Sequence, residues 1–190
     1  DRDLGEIPFN YLEIDNWKES LSPLEIQSSM SEVLDLKIGL AKNFNLPINL
    51  LHPLISEFRY RHLWHKGADE IIFDEEKINQ AGTDHYCIVN DKKLVFETVK
   101  PPSGHGQLSY GEVLKNPQPF KYFEADYILT SLGQNKTKLS MFLKASVKWK
   151  LQKLFIPIFK IILKKKANQM LGDMEKAIPI YFETLENEVM

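Results

Sequence analysis

The end of the chain sets the strongest constraint on its fold. From Leu163 onward the apolar residues fall at 163, 167, 170, 171, 174, 177, 178, 181, 182 and 185. Steps of three and four place them along one side of a long helix. A helix with one apolar side needs a surface to cover it, and the preceding residues supply one. The runs "DEIIFDE" (69–75), "GTDHYCIV" (82–89), "KLVFETV" (93–99), "GQLSYGEVL" (106–114), "FKYFEADYILT" (120–130) and the stretch 137–147 read as six strands. Turn residues separate them: Asn90-Asp91, "PPSGHG" at 101–106, "NPQP" at 116–119 and "GQN" at 133–135. Connectors this short predict consecutive antiparallel pairing. A meander of that size must bury one face, and the last helix is its only large apolar partner.

A further strand is expected earlier, where Leu36, Ile38 and Leu40 alternate with Asp35, Lys37 and Gly39. Between it and the meander, Leu50, Leu51, Leu54, Ile55 and Phe58 make a helical stripe. Asn45 is the expected N-cap, with Leu46 and Pro47 in the first turn. Pro53 divides the stretch into two short helices, and "HKG" closes the second. Pro157 and Pro179 should kink the closing helical region or mark boundaries in it. Residues 1–32 are turn-rich, mildly acidic and without a sustained period, and are read as an N-terminal arm or linker; residues 33–190 form the domain.

The 190 residues suit one domain with a sizeable core. A net charge of −2 gives no general attraction to nucleic acid. Cys87 is the only cysteine, which excludes an internal disulfide and gives no reason to invoke an oxidising compartment. The opening "DRDLGEIPFN" carries no signal-peptide pattern and no initiator Met, so the expectation is a cytoplasmic fragment cut from a longer protein. No run reaches the roughly 18–20 apolar residues that span a bilayer; the nearest, "LFIPIFKIIL", is broken by Pro157 and Lys160.

The order of elements resembles the helix-grip fold of the START-like, or SRPBCC, superfamily. That superfamily includes lipid-transfer domains, plant pathogenesis-related ligand binders, polyketide cyclases and co-chaperone domains. The resemblance spans about residues 33–188. It rests on "RYRHLW" before the first meander strand, "QAGTDHYC" opening the second, "LSYGEV" in mid-sheet, "DYILTSLGQNKTKLSM" as a long hairpin, and the closing "KKKANQMLGDMEKAIPIYFETLE". The "GTxHxC" turn and strand also resemble bacterial SRPBCC modules that lie behind a nucleotide-cyclase-like domain, so an upstream domain of the same full-length chain is an expected partner. The resemblance implies an α+β fold: a curled antiparallel meander sheet of about seven strands wrapped on a long C-terminal helix, with two short helices after the first strand. It also implies a cavity between sheet and helix for an apolar or lipid-like ligand. It names no cofactor.

"AGTDHYCIVNDKKLVFET" (81–98) crowds Asp84, His85 and Cys87 together. Alternation separates them, with His85 and Cys87 on one face of a strand and Asp84 on the other. Residues two apart on one face are about 7 Å from each other, which is long for a thiol–imidazole bond. A mid-strand cysteine also has no helix N-terminus or neighbouring cation to make it a nucleophile. A buried cysteine beside a hydrogen-bonded histidine is the simpler reading. His62 and His65 are three apart near a helix end, but a zinc site needs further ligands that nothing in the sequence places there.

On the expected apolar ligand, the polar groups to set orientation are His85, Glu97 and Tyr110, and the expected wall is Trp64, Tyr127, Leu139, Met141, Met170, Leu171 and Met174. Cys87 and Glu112 complete the candidate set. Glu112 is the open case: inward toward the ligand, or outward in a cross-strand pair with a lysine. Glu124 and Asp126 are expected to face solvent, because Phe123, Ala125, Tyr127 and Leu129 hold the apolar face of their strand. The segment 149–166 mixes bulky apolar groups with lysines. It suits transient contact with a membrane surface, although the simpler reading is the buried start of the long helix with Lys160, Lys164, Lys165 and Lys166 solvated. Non-catalytic binding of a small hydrophobic ligand is the leading expectation. A cyclase- or hydrolase-like enzyme using an inward His or Glu, and a protein-interaction domain, are the alternatives.

Overall fold

The computed structural model describes residues 34–189. The chain runs β1 (Leu36–Phe44), α1 (Ile48–Ser56), α2 (Phe58–Trp64), β2 (Glu70–Ile72), β3 (Asp84–Val89), β4 (Lys92–Val99), β5 (Gln107–Lys115), β6 (Phe120–Ser131), β7 (Thr137–Val147) and α3 (Ile156–Val189). The seven strands form one sheet in the order β1-β7-β6-β5-β4-β3-β2. β2 to β7 are a simple antiparallel meander. β1 joins the far edge, with Leu36 opposite Ala145 and Phe44 opposite Thr137. The two short helices therefore carry the chain from one edge strand to the other. With α3 packed over the sheet, this is the helix-grip α+β fold. The expected arm at residues 1–32 lies outside the described residues.

Local chemistry explains most boundaries. Asn90 and Asp91 both take positive φ, 49° and 60°, as a two-residue hairpin turn requires, and they join β3 to β4. The expected cap at Asn45 is replaced by Pro47, whose carbonyl accepts from the Leu50 and Leu51 amides at 3.1 and 3.0 Å. Pro53 lies inside α1, and the break falls four residues later at extended Glu57. β2 is shorter than the run 69–75, ending at Ile72, and a 3-10 turn over Glu75–Lys77 follows it.

The long helix begins at Ile156, about two turns before Leu163, where the apolar spacing sets in, and after a 3-10 segment over Lys150–Phe155. Pro157 sits in its first turn, where its missing N–H costs no bond, and the helix runs on through Pro179. Ala167, Leu171, Met174, Ala177 and Tyr181 face the core, and Tyr181 meets Tyr60 of α2 edge-on at 4.8 Å. Leu129, Leu139 and Met141 from the sheet and Leu51, Leu54 and Ile55 from α1 complete it. Two buried hydrogen bonds fix the short helices: Thr137 Oγ1 donates to the Leu46 carbonyl at 2.7 Å, and Trp64 Nε1 to the Leu54 carbonyl at 2.8 Å.

The reading of 149–166 as a buried helix start is corrected. Trp149, Leu151, Leu154, Phe155, Ile158, Ile161 and Ile162 are all exposed. A helix that is apolar on every side can cover only one of them, and here Phe159 and Leu163 take the covered side. No helix among the described residues is long and apolar enough to cross a membrane.

Candidate functional site

Strand pairing settles which side chains face inward. Tyr110 of β5 lies opposite Tyr127 of β6, and Glu112 opposite Ala125, so both share the face of the buried Tyr127 and Ala125. One strand further on, Thr98 lies opposite Glu112 and Phe96 opposite Leu114. On β3, His85 lies opposite Phe96 and Cys87 opposite Leu94. His85, Cys87, Tyr110 and Glu112 thus all point to the interior. Glu97 does not. It lies opposite Val113 and Asp84 on the outer face, where Lys115 bridges it (3.3 Å) and Asp84 (2.7 Å). The expected interior role of Glu97 is corrected accordingly; its alternation with Phe96 and Thr98 turns it outward.

A residue that the sequence reading passed over organises the inward groups. Arg61 of α2 is 2% exposed. Its Nη2 donates to Tyr110 Oη at 2.8 Å and pairs with the Glu112 carboxylate, and its Nη1 lies 3.2 Å from His85 Nε2. The Tyr110 hydroxyl donates to the same Glu112 oxygen, which also stands 3.2 Å from His85 Nε2. The rings of Phe58, Trp64 and Tyr110 surround the guanidinium at 5.1, 5.4 and 5.8 Å, in range for cation–π attraction. His85 is stacked between Phe58 and Phe96, at 4.1 and 5.3 Å between centroids. The spacing of Phe58, Arg61 and Trp64 in a short helix was the available signal: steps of three put the arginine on the apolar side.

The protonation states follow from burial and from Arg61. Burial opposes the charge on Glu112, but Arg61 and the His85 hydrogen bond outweigh it and hold the carboxyl well below its usual range. Burial also opposes the charge on Arg61, and Glu112 more than compensates, so the guanidinium stays protonated. Burial pushes His85 down, with Glu112 pulling against it. At neutral pH the cluster is an ion pair with a neutral imidazole. His85 Nε2 then meets a pure donor and a pure acceptor at the same 3.2 Å and can serve only one of them. Cys87 is fully buried, and burial raises its thiol pKa against the pull of Arg61, so the thiolate is disfavoured.

Between the sheet and α3 lies a cavity of ≈180 Å³. Phe96, Phe123, Tyr127, Leu143, Leu163 and Met170 give it apolar walls, and Trp64, Ala125 and Ala167 complete the apolar lining. Arg61 and Glu112 form one polar wall, with His65 and Lys166 at the edge. Trp64, His65, Lys166 and Met170 also line an outer groove of ≈250 Å³, which makes that edge the way in. A second cavity of ≈240 Å³, with a larger polar share in its lining than the first, lies between α1 and strands β4 and β5; His52, Ser56, Thr98 and Tyr110 are among its lining. Tyr110 lines the second cavity, Arg61 and Glu112 the first. The bonded cluster is therefore a partition between the two.

Of the expected residues, Trp64, Glu112, Tyr127 and Met170 lie on the first cavity, and Tyr110 on the second. Leu139, Met141, Leu171 and Met174 are buried core away from both walls, and His85 and Cys87 sit behind Arg61. Phe123, Leu143 and Leu163 were expected on apolar faces but not named as wall residues, and Phe96 was not singled out at all. Glu124 and Asp126 do lie on the outer sheet face, but Asp126 is 3% exposed, not solvated. Lys144 reaches it at 2.5 Å, and burial together with Glu124 raises its pKa to about 6. Among the described residues no three His, Cys, Asp or Glu side chains gather as a metal site.

No protein-family model and no curated protein sequence matches this chain. Solved structures match by fold. A START superfamily protein from Mycobacterium smegmatis superposes with a TM-score of 0.56 at 14% identity, over 74% of this chain and 94% of that one. A norcoclaurine synthase point mutant from Thalictrum flavum, bound to a transition-state analogue, gives 0.58 at 10% identity over 78% and 95%. The di-domain ARO/CYC BexL from the BE-7585A biosynthetic pathway gives 0.62 at 6% identity, over 76% of this chain and 46% of that one. The chain has a START/SRPBCC-like fold.

Proposed function

We propose that this domain binds a small, mainly apolar molecule in the cavity between sheet and α3, without catalysing a reaction on it. The observation that carries this reading is an apolar chamber with a mouth and one polar wall. Its ≈180 Å³ compares with the apolar cavity of about 150 Å³ that takes benzene in another protein, and falls short of the ~300–1,000 Å³ of drug-sized pockets. The ligand is accordingly about the size of one aromatic ring with short substituents. A diacyl lipid would need far more room. Affinity comes from burying ligand and wall surface at roughly 25 cal/mol per Å², and Arg61 offers the orienting contact from the polar wall.

One observation favours catalysis: a carboxylate on the cavity wall stands 3.2 Å from a histidine ring nitrogen. A general base works best with a pKa near the working pH. Glu112 is shifted the other way and is held by Arg61 and Tyr110, and His85 does not reach the cavity. Binding therefore remains the better-supported function.

The test is methyl NMR of protein labelled at methionine with monocyclic aromatics (toluene, phenol, indole) as probes. Met170 lines the cavity, whereas Met141 and Met174 do not. The Met170 signal should shift saturably, more than the other two, and Ala125→Phe should abolish the shift by filling the chamber. No Met170 response to any probe, in a protein that unfolds cooperatively, would refute the reading.

A further inference from the structure

The approach to α3 and its first turns present an apolar surface with no cover among the described residues. Trp149, Leu151, Leu154 and Ile161 are each at least 70% exposed. Ile158, Ile161 and Ile162 share one side of α3 at steps of three and four, opposite the side on which Phe159, Leu163 and Ala167 meet the domain. More than half of the large apolar side chains exposed among the described residues fall between Trp149 and Ile162. Scattered exposed apolar residues need no explanation, but a contiguous set marks a contact surface.

The charge around the patch identifies the partner. Between Ala145 and Gly172 the sequence has seven lysines and no Asp or Glu, in a chain whose net charge is −2. Lys153 is engaged by Asp35 at 2.8 Å. Lys160, Lys164, Lys165 and Lys166 are exposed and make no ion pair among the described residues. Lys164 and Lys166 flank the outward isoleucine row on its two sides, and Lys165 extends it. Apolar side chains pointing outward with lysines around them, and a tryptophan at the border, match the two layers of an anionic membrane surface: acyl chains below, negative headgroups above. A second copy of the chain fits poorly, because an isologous contact would set this lysine cluster against itself.

We propose that residues 149–166 dock the domain on an anionic lipid surface, with the isoleucine row and Trp149 inserted and the lysines among the headgroups. Leu163 and Lys166 also line the ligand cavity. Docking therefore brings the mouth beside Lys166 to the interface, where a small amphipathic molecule concentrates.

The experiment is co-sedimentation of the whole chain with phosphatidylcholine vesicles, with and without phosphatidylserine. Binding is expected only with phosphatidylserine, and it should fall as salt rises. Each lysine near such a surface contributes roughly fivefold. Changing Lys160, Lys164, Lys165 and Lys166 to Gln should then weaken binding by roughly five hundredfold or more. Ile158→Glu with Ile161→Glu and Ile162→Glu should abolish it, while Leu132→Glu, at an exposed apolar position on the β6–β7 hairpin, should leave it unchanged. All these side chains are exposed, so a matching urea midpoint confirms that each variant folds. Absence of binding to phosphatidylserine vesicles would overturn the proposal, as would equal binding to both vesicle types or full binding by the triple isoleucine variant. Concentration-dependent self-association that the triple variant loses, without vesicle binding, would assign the patch to a second copy instead.

Discussion

Replacing Arg61 by methionine keeps most of the side-chain volume and removes the charge. Glu112, 6% exposed, is then left with Tyr110 and His85 as partners. Removing one member of a buried ion pair costs about 3–5 kcal/mol, out of a total stability of roughly 5–15 kcal/mol for a domain. The pH dependence gives the loss a signature. In the wild type the Glu112 pKa is depressed, so its contribution is present above the unfolded-state value of about 4.3 and is lost as pH falls through the folded value. Without Arg61 the burial penalty is no longer outweighed, and the folded-state value rises above 4.3 or thereabouts. The variant then loses stability as pH climbs from the unfolded-state to the folded-state value. The gap between the two proteins is widest near neutrality and closes toward acid. Urea unfolding measures it: with m of about 1–3 kcal/mol/M, the midpoint falls by on the order of 2 M near pH 7 and by less near pH 4, where the variant has regained the stability lost to its buried carboxylate while the wild type still holds its ion pair. Arg61→Met combined with Glu112→Leu should recover at least half of the loss, because no unpaired charge remains. A cost below about 1 kcal/mol near neutrality, or a gap that does not change with pH, would refute the idea that Arg61 and Glu112 hold the partition as an ion pair.

Burial depresses His52, His65 and His85 alike. The folded state resists protonation that the unfolded state accepts near 6.5, so stability should drop as pH falls below that value, and His85→Phe should flatten part of the slope in urea titrations between about pH 7 and pH 5. Gly111→Ala would place a methyl 2.8 Å from Pro101 Cγ and 2.9 Å from Val99 Cγ2; the overpacking should cost about 1–3 kcal/mol, read by calorimetry as a Tm lowered by several degrees. Cys87 should resist a thiol reagent such as dithionitrobenzoate in the native protein and react only as fast as the domain opens; rapid stoichiometric labelling would contradict its burial.

Periodicity made the frame legible, and its limits can be traced to particular residues. Alternation along β7 and the three-and-four spacing of α3 report burial directly, because each element has one covered side. The same logic separated His85 and Cys87 from Asp84. Period two fixes a face but not what covers it. Asp126 is on the predicted outer face yet buried, with Gly111 and Lys144 close to it and Pro101 over Gly111. Glu112 stayed open because its fate depends on a cation from another element. That cation is Arg61, 51 residues away in sequence, and only tertiary packing brings the two together. Residues 149–162 misled in the opposite sense: apolar composition argues for burial, but the sheet and α2 cover only one side of this helix.

The existence of the apolar chamber is the claim on which the ligand-binding account stands, and xenon tests it most directly. Xenon enters apolar cavities of this size without needing a polar partner. A crystal of this protein pressurised with xenon should show an ordered atom between Phe123, Leu143 and Met170, with Arg61 and Glu112 still paired beside it. A crystal in which those side chains have closed the space, with xenon bound only elsewhere, would contradict the account.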